Sequence, residues 1–123
     1  MRLRVYVDGF NLYYGALKAR PAARWLDLAA LSHLLRPGDT IDAIRYFTAR
    51  VKGDRDATAP GRQKLYLAAL GTLPLVTVHF GQFRTHPVAM PLAQPGPGKR
   101  RTARVLKTEE KGSDVNLATY LLL

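Results

Sequence analysis

The chain has 123 residues, with 19 lysines and arginines against 9 acids and a formal charge of +10. That length serves one compact domain, residues 1–123, and the 47% apolar content supplies a core and argues against disorder throughout. Zero cysteines exclude disulfides, thiolate nucleophiles and thiolate metal sites and agree with a cytoplasmic location, while no segment reaches the ~18 apolar residues of a membrane span.

Arg2 to Val7 begins by alternating charged and apolar residues and runs into Asp8-Gly9, which predicts a strand delivering an acid into a turn. Asn11 to Lys18 is helical, with Leu12, Gly15 and Ala16 toward the core, and Pro21 interrupts it. Asp27 caps a second helix, Leu28 to Leu35, which Pro37-Gly38 stops. A strand follows within Ile41 to Val51, then a polar loop from Gly53 to Gly61. Arg62 to Leu70 places Leu65, Ala68, Ala69 and Leu70 at helical spacing, and Leu75 to Phe80 is a third strand. This order of strand, helices, strand, helix, strand is that of βαβ crossovers and a parallel sheet covered on both faces.

The character then changes. His86 to Gly98 holds four of the eight prolines, and Arg84 to Lys111 carries seven basic residues against two acids, half of the net charge. This stretch is expected to be a Pro-rich basic excursion at about 84–108, a loose hairpin closing through Ala103 to Thr108. Ser113 to Leu123 is a helix with Ser113 or Asp114 near its N-cap and Val115, Leu117, Ala118, Leu121 and Leu122 on one side. It reaches three leucines with no closing residue, and the chain looks cut inside this helix.

With cysteine absent and only three histidines present, the acids are the first place to look for chemistry. Asp8 ends the first strand and Asp114 begins the last helix. In a parallel sheet, strand carboxyl ends and the N-termini of following helices share one edge, where ligands bind. Two carboxylates distant in sequence can therefore meet at one cleft and suit Mg²⁺ or Mn²⁺, which take oxygen ligands. Either acid is equally well explained as a turn former or a helix cap.

VYVDGFNLYYG (Val5 to Gly15) together with TEEKGSDVNLATYLL (Thr108 to Leu122) resembles the NYN domain family, a LabA-like branch of the PIN-like nucleases. The WLDL, IRYFTARV and VHFGQF stretches resemble it too, so the likeness covers nearly the whole chain. It implies an α/β, PIN-like three-layer fold with a mainly parallel central sheet, helices on both faces and a truncated C-terminal part. It also implies a metal-dependent ribonuclease, an endoribonuclease-type phosphodiester hydrolase. The family's metal-binding aspartates fall on Asp8 and Asp114, and its accompanying asparagine on Asn11, giving a catalytic set of Asp8, Asn11 and Asp114 with magnesium or manganese. Lys111 would offset charge on a scissile phosphate, and Glu109 and Glu110 would be outer ligands or a solvated hairpin end. The family's further acidic strand-end motif is missing, which raises the alternative of a non-catalytic RNA-binding or regulatory module and exposes apolar surface inviting homo-oligomers.

RNA as partner needs cations for the backbone and flat groups for bases. Lys99, Arg100, Arg101, Arg104, Lys107 and Lys111 supply the former, with Arg50 and Arg62 reaching toward Asp8. Tyr13, Tyr14, Phe47 and Phe83 are the stacking candidates, though Tyr14 and Phe47 also fit a core. His33 and His79 read as packed residues and His86 as a loop residue. A membrane partner is not expected. Gly9 and Gly15 form no G-x-G-x-x-G and no P-loop is present, while neither Ser32 nor Ser113 lies in a nucleophile elbow.

Overall fold

In a computed structural model, which describes every residue except Pro95, Pro97 and Lys99, the chain is an α/β fold on a four-stranded open sheet. In chain order, β1 is Arg2–Asp8, α1 Gly9–Leu12, α2 Leu28–Leu35, β2 Thr40–Ala49, α3 Ala59–Leu70, β3 Val76–Pro91, β4 Thr102–Lys111 and α4 Ser113–Leu122. The strands lie in sequence order, β1-β2-β3-β4. β1 with β2 and β2 with β3 are parallel, as the alternation of elements predicts, and β3 with β4 is antiparallel.

Side-chain alternation along β2 sends successive residues to opposite faces. Ile44 and Tyr46 join Leu28 of α2 and Leu70 of α3 in the main core, against Val5 and Val7 of β1 and Val76 and Val78 of β3. Phe47 turns the other way, stacks on His79 at 4.9 Å and meets Tyr120 of α4 at 5.9 Å. Helices therefore cover both faces. Ile44 and Phe47 are fully buried, and each such side chain is worth ~1.5–3 kcal/mol relative to exposure.

The second face is held by a column of rings. His79 lies 4.2 Å from the Tyr120 ring, and the Arg45 guanidinium sits 4.6 Å over the same ring while its Nη1 is 3.2 Å from His79 Nε2. Burial, with Arg45 beside it, holds the His79 imidazole below its ordinary pKa. Tyr6 of β1 adds a stack on Phe47 at 6.4 Å and donates its hydroxyl to the Tyr120 carbonyl. On the opposite face Gln63 of α3 ties off the end of β2, donating from Nε2 to the Ala49 carbonyl at 2.7 Å and accepting from the Val51 N–H at 3.0 Å.

Several elements differ from the sequence expectation. The helix after Asp8 is a single α turn that widens into a π-helical turn over Tyr13–Leu17, closed by Lys18 N–H on the Tyr13 carbonyl at 2.7 Å, and Gly15 is exposed while Leu17 is buried. The third strand does not stop at Phe80: past Gly81 it exchanges its β2 neighbour for β4 and runs on as a regular hairpin, from Gln82↔Lys111 out to Pro91↔Thr102. In α4 the inward residues are Ser113, Leu117 and Tyr120, leaving Val115, Leu121 and Leu122 exposed. Gly112, at φ +95°, turns the chain from β4 into that helix in a left-handed conformation open to glycine. Leu65 is likewise exposed in α3, where Tyr66, Leu67 and Leu70 face the core, and His33 is exposed rather than packed. Among the described residues no helix is long and apolar enough to cross a membrane.

Candidate functional site

Asp8 closes β1 at its carboxyl end with φ −80° and ψ 105°, the extended backbone of an N-cap. Its Oδ1 accepts the Asn11 N–H at 3.1 Å and its Oδ2 the Asn11 side-chain amide at 3.0 Å, so the acid and the amide are fixed as one unit. Gly9, next in the chain, lies against β2: a Cβ there would stand 2.6 Å from Tyr46 Cζ and 2.9 Å from the Phe47 carbonyl oxygen. Only glycine permits that approach, which draws α1 onto the end of the sheet and aims the Asp8–Asn11 pair outward.

The β3–β4 hairpin and α4 build the opposite wall. Phe83 and Glu110 are cross-strand partners on the same side of the hairpin. Glu110 Oε1 accepts the Ser113 N–H at 3.0 Å, binding the carboxylate to the start of α4, and Asp114 follows in that first turn. Between the walls is a cavity of about 290 Å³ lined by Asp8, Phe10, Asn11, Tyr14, Phe83, Glu110 and Asp114. The aromatic side is ordered: Phe10 meets Phe83 edge-on at 5.3 Å and stacks on Tyr14 at 6.5 Å.

Burial raises the Glu110 carboxyl above its ordinary pKa. The Ser113 N–H and Lys111 pull it back, and the charges of Asp114 and Asp8 push it further up. The surroundings of Glu110 thus favour the protonated carboxyl more than water does. For Mg²⁺ or Mn²⁺ the donors are less well disposed. Asp8 gives both oxygens to Asn11 and Glu110 gives one to Ser113, and among the described residues no three His, Asp or Glu side chains are grouped to hold an ion. These carboxylates share a cavity without forming a ready coordination shell for Mg²⁺ or Mn²⁺.

Asp8, Asn11 and Asp114, expected together from the sequence, do line one cavity, and Glu110 joins them. Glu109 does not: its two oxygens take Lys107 and Lys111, each at 2.8 Å, and these lysines hold its pKa down at about 2. Lys111 accordingly points to a second cavity, of about 640 Å³, with Lys52, Phe83, Arg84, Thr85, His86 and Glu109. Arg100, Arg101 and Arg104 are exposed, and Lys99 lies outside the described residues. Arg50 sits 4.5 Å over Phe80 and Arg62 pairs with Asp56 at 2.9 Å; neither lines the acidic cavity. His86 stands half-buried within β3, not in a loop. Of the stacking candidates, Phe83 and Tyr14 border the acidic cavity and Phe47 is core. Phe10 went unnoticed in the sequence because it follows Asp8-Gly9 in what reads as a turn; its spacing of four from Tyr14 was the available signal.

No protein-family model matches the sequence, and no solved structure matches it. A curated relative does: 6-hydroxy-3-succinoylpyridine 3-monooxygenase HspA of Pseudomonas putida (strain DSM 28022 / S16), 31% identical over 146 residues. The match takes in 96% of this chain and 46% of that protein, so the chain spans a little under half the relative's length. The relative is named for an oxygenation. This finding overturns the ribonuclease expectation together with its metal-dependent hydrolase chemistry and its non-catalytic RNA-module alternative: the relative is named for the oxygenation of a pyridine, not for the hydrolysis or binding of RNA.

Proposed function

We propose that this chain is the ring-binding part of an oxidoreductase that oxygenates a hydroxylated heteroaromatic compound, and that the Asp8–Asp114 cavity receives the ring. The observation that carries the proposal is the pairing, in one cavity, of an aromatic wall with an acidic rim. Phe10, Tyr14 and Phe83 offer faces and edges for a flat ring, while Asp8, Glu110 and Asp114 accept from ring N–H and hydroxyl groups. Size agrees: a cavity of ~150 Å³ is enough for benzene, so about 290 Å³ takes a single ring with small substituents. The relative's printed substrate, a hydroxylated pyridine, belongs to this chemical class.

The roles of the side chains follow from their environments. Phe83 and Phe10, locked edge-to-face, fix the plane of the ring. The Asn11 amide, anchored on Asp8, keeps its carbonyl oxygen as an acceptor for a ring N–H. Glu110, whose carboxyl burial pushes above its ordinary pKa, and Asp114 in the first turn of α4 line the acidic side of the cavity toward the ring's polar groups. Monooxygenation places one atom of O₂ in the substrate and reduces the other to water, consuming two electrons and two protons; the chain's own residues bind and orient the ring.

The test is calorimetric titration of the chain with 2-hydroxypyridine, followed by oxygen uptake in the presence of a reduced nicotinamide dinucleotide. Wild type is expected to bind the ring and to consume oxygen in a ring-dependent manner. Phe83→Ala, which removes one aromatic partner of the ring, should weaken binding by about tenfold. Absence of both ring binding and ring-dependent oxygen uptake refutes the proposal.

A further inference from the structure

The second cavity has a different chemistry from the first and shares a wall with it. Lys52, just past the end of β2, and Arg84, His86 and Lys111 on the hairpin line its 640 Å³, and the one carboxylate among the lining residues is Glu109. That carboxylate is already taken by Lys107 and Lys111, whereas Lys52 and Arg84 make no ion pair among the described residues. Alternation along the hairpin explains the grouping. Gln82, Arg84 and His86 of β3 and their partners Lys111, Glu109 and Lys107 of β4 lie on one face, and Phe83 and Glu110 on the other.

A second, independent feature points to an anion. At Ala49↔Gly81 β3 loses β2, so from Gln82 onward one edge of the strand carries main-chain polar groups that no strand pairs. The Phe83-to-His86 segment of that edge lines the cavity. Free N–H groups beside unpaired guanidinium and ammonium groups are the elements of an oxyanion site. Phe83 belongs to both cavities, so a molecule with its anionic end here lies one side chain away from a ring bound against Asp8, Asn11 and Asp114.

We infer that this basic cavity holds the phosphate group of a small, dissociable electron donor that serves the neighbouring ring site. The inference rests on the oxygenation proposed above, whose balance is substrate + O₂ + two electrons + two protons giving oxygenated substrate + water. The electron donor is named here by class as a reduced, phosphate-bearing nicotinamide or flavin nucleotide. A chain without cysteine offers no dithiol to supply those electrons. The same oxyanion chemistry would also accept a carboxylate tail of the substrate, and the arms of the experiment separate the two.

The chain is titrated calorimetrically with inorganic pyrophosphate, with a reduced nicotinamide dinucleotide, with succinate and with a short single-stranded RNA, at low and moderate salt. Pyrophosphate and the dinucleotide are expected to bind and to compete. Arg84→Gln and Lys52→Gln each remove one charge-assisted hydrogen bond to the anion and should weaken both ligands by about tenfold, with Arg36→Gln, whose side chain pairs with Asp39 outside both cavities, without effect. Circular dichroism checks that each variant keeps its fold. Failure of both ligands to bind, affinities unchanged in the Arg84 and Lys52 variants, tighter binding of succinate than of pyrophosphate, or binding of RNA alone overturns the inference. The two proposals fail separately: ring binding without pyrophosphate binding removes this site and leaves the ring site standing. Arg84-dependent pyrophosphate binding without ring binding does the reverse.

Discussion

The most exacting test of how the site is positioned is the smallest substitution, Gly9→Ala. The added methyl carbon would stand 2.6 Å from Tyr46 Cζ, 2.7 Å from the Tyr46 hydroxyl oxygen and 2.9 Å from the Phe47 carbonyl oxygen. Neither neighbour can retreat easily. Phe47 is fully buried in β2, bonded between β1 and β3, and the Tyr46 ring is wedged edge-on against Tyr66 at 6.2 Å. Overpacking of this kind costs ~1–3 kcal/mol, and alanine recovers up to ~1 kcal/mol of helix propensity at most. Since one of the three crowding atoms is main chain, the expected net loss is about 2 kcal/mol. With a urea slope of ~1–2 kcal/mol per molar for a domain of this size, the unfolding midpoint falls by ~1–2 M, read by circular dichroism. A Tyr46→Leu background removes the two tyrosine atoms, so the added cost of Gly9→Ala should shrink by at least half, a coupling between touching residues. A Gly9→Ala protein with the wild-type midpoint, or an unchanged cost in the Tyr46→Leu background, refutes the close-approach argument.

Two further outcomes are expected from the same physical reasoning. Gln63→Leu leaves the Val51 N–H and the Ala49 carbonyl without their partners and should destabilise the chain by ~1–3 kcal/mol in urea unfolding, while Gln63→Glu, which keeps an acceptor for Val51, should cost less. Glu110 has a folded pKa raised above its unfolded value, so its contribution to stability is full below pH 4.5 and is lost as pH rises through the raised value. Glu110→Gln, still able to accept from Ser113, should therefore gain stability relative to wild type above that range and match it at pH 4; an equal difference at both pH values counts against the assigned shift.

The sheet was largely legible because its signals are local. Alternation in Arg2 to Val7, β-formers in IRYFTARV and an aspartate ahead of Leu28 each specify one element, and the structure carries β1, β2 and α2 at those positions, with Asp27 accepting the Ala30 N–H as the cap. The meeting of Asp8 with Asp114 was expected from a parallel-sheet rule but is reached another way: α4 follows the antiparallel β4, whose last residue, Lys111, pairs with Gln82 just past the parallel Ala49↔Gly81 pair. What escaped notice depends on partners. Pro87 and Pro91 argue against a strand in isolation, yet both lie in β3 where it borders only β4, an edge on which a missing N–H is tolerated. In α3 and α4 the apolar residues outnumber the buried positions, so composition could not tell Tyr66 from Leu65, or Tyr120 from Leu121. The hydrolytic expectation failed because an aspartate at a strand end does not by itself specify a reaction, whereas the curated relative is named for an oxygenation.

The ring column beneath α4 has a consequence for the cavity it helps to enclose. Asp8 is carried by a strand bonded along its length to β2, but Asp114 rides on a helix moored by side chains: Tyr120 on His79 and Phe47, Asn116 on the Phe80 carbonyl, and Glu110 on the Ser113 N–H. The two acids thus belong to parts of the molecule with unequal anchorage: one is built into the main-chain frame of the sheet, the other depends on side-chain contacts of its helix. Loosening those rings would shift Asp114 against Asp8 while the sheet stayed intact, so the width of the cavity between the acids depends on side chains packed beneath α4 that do not line it.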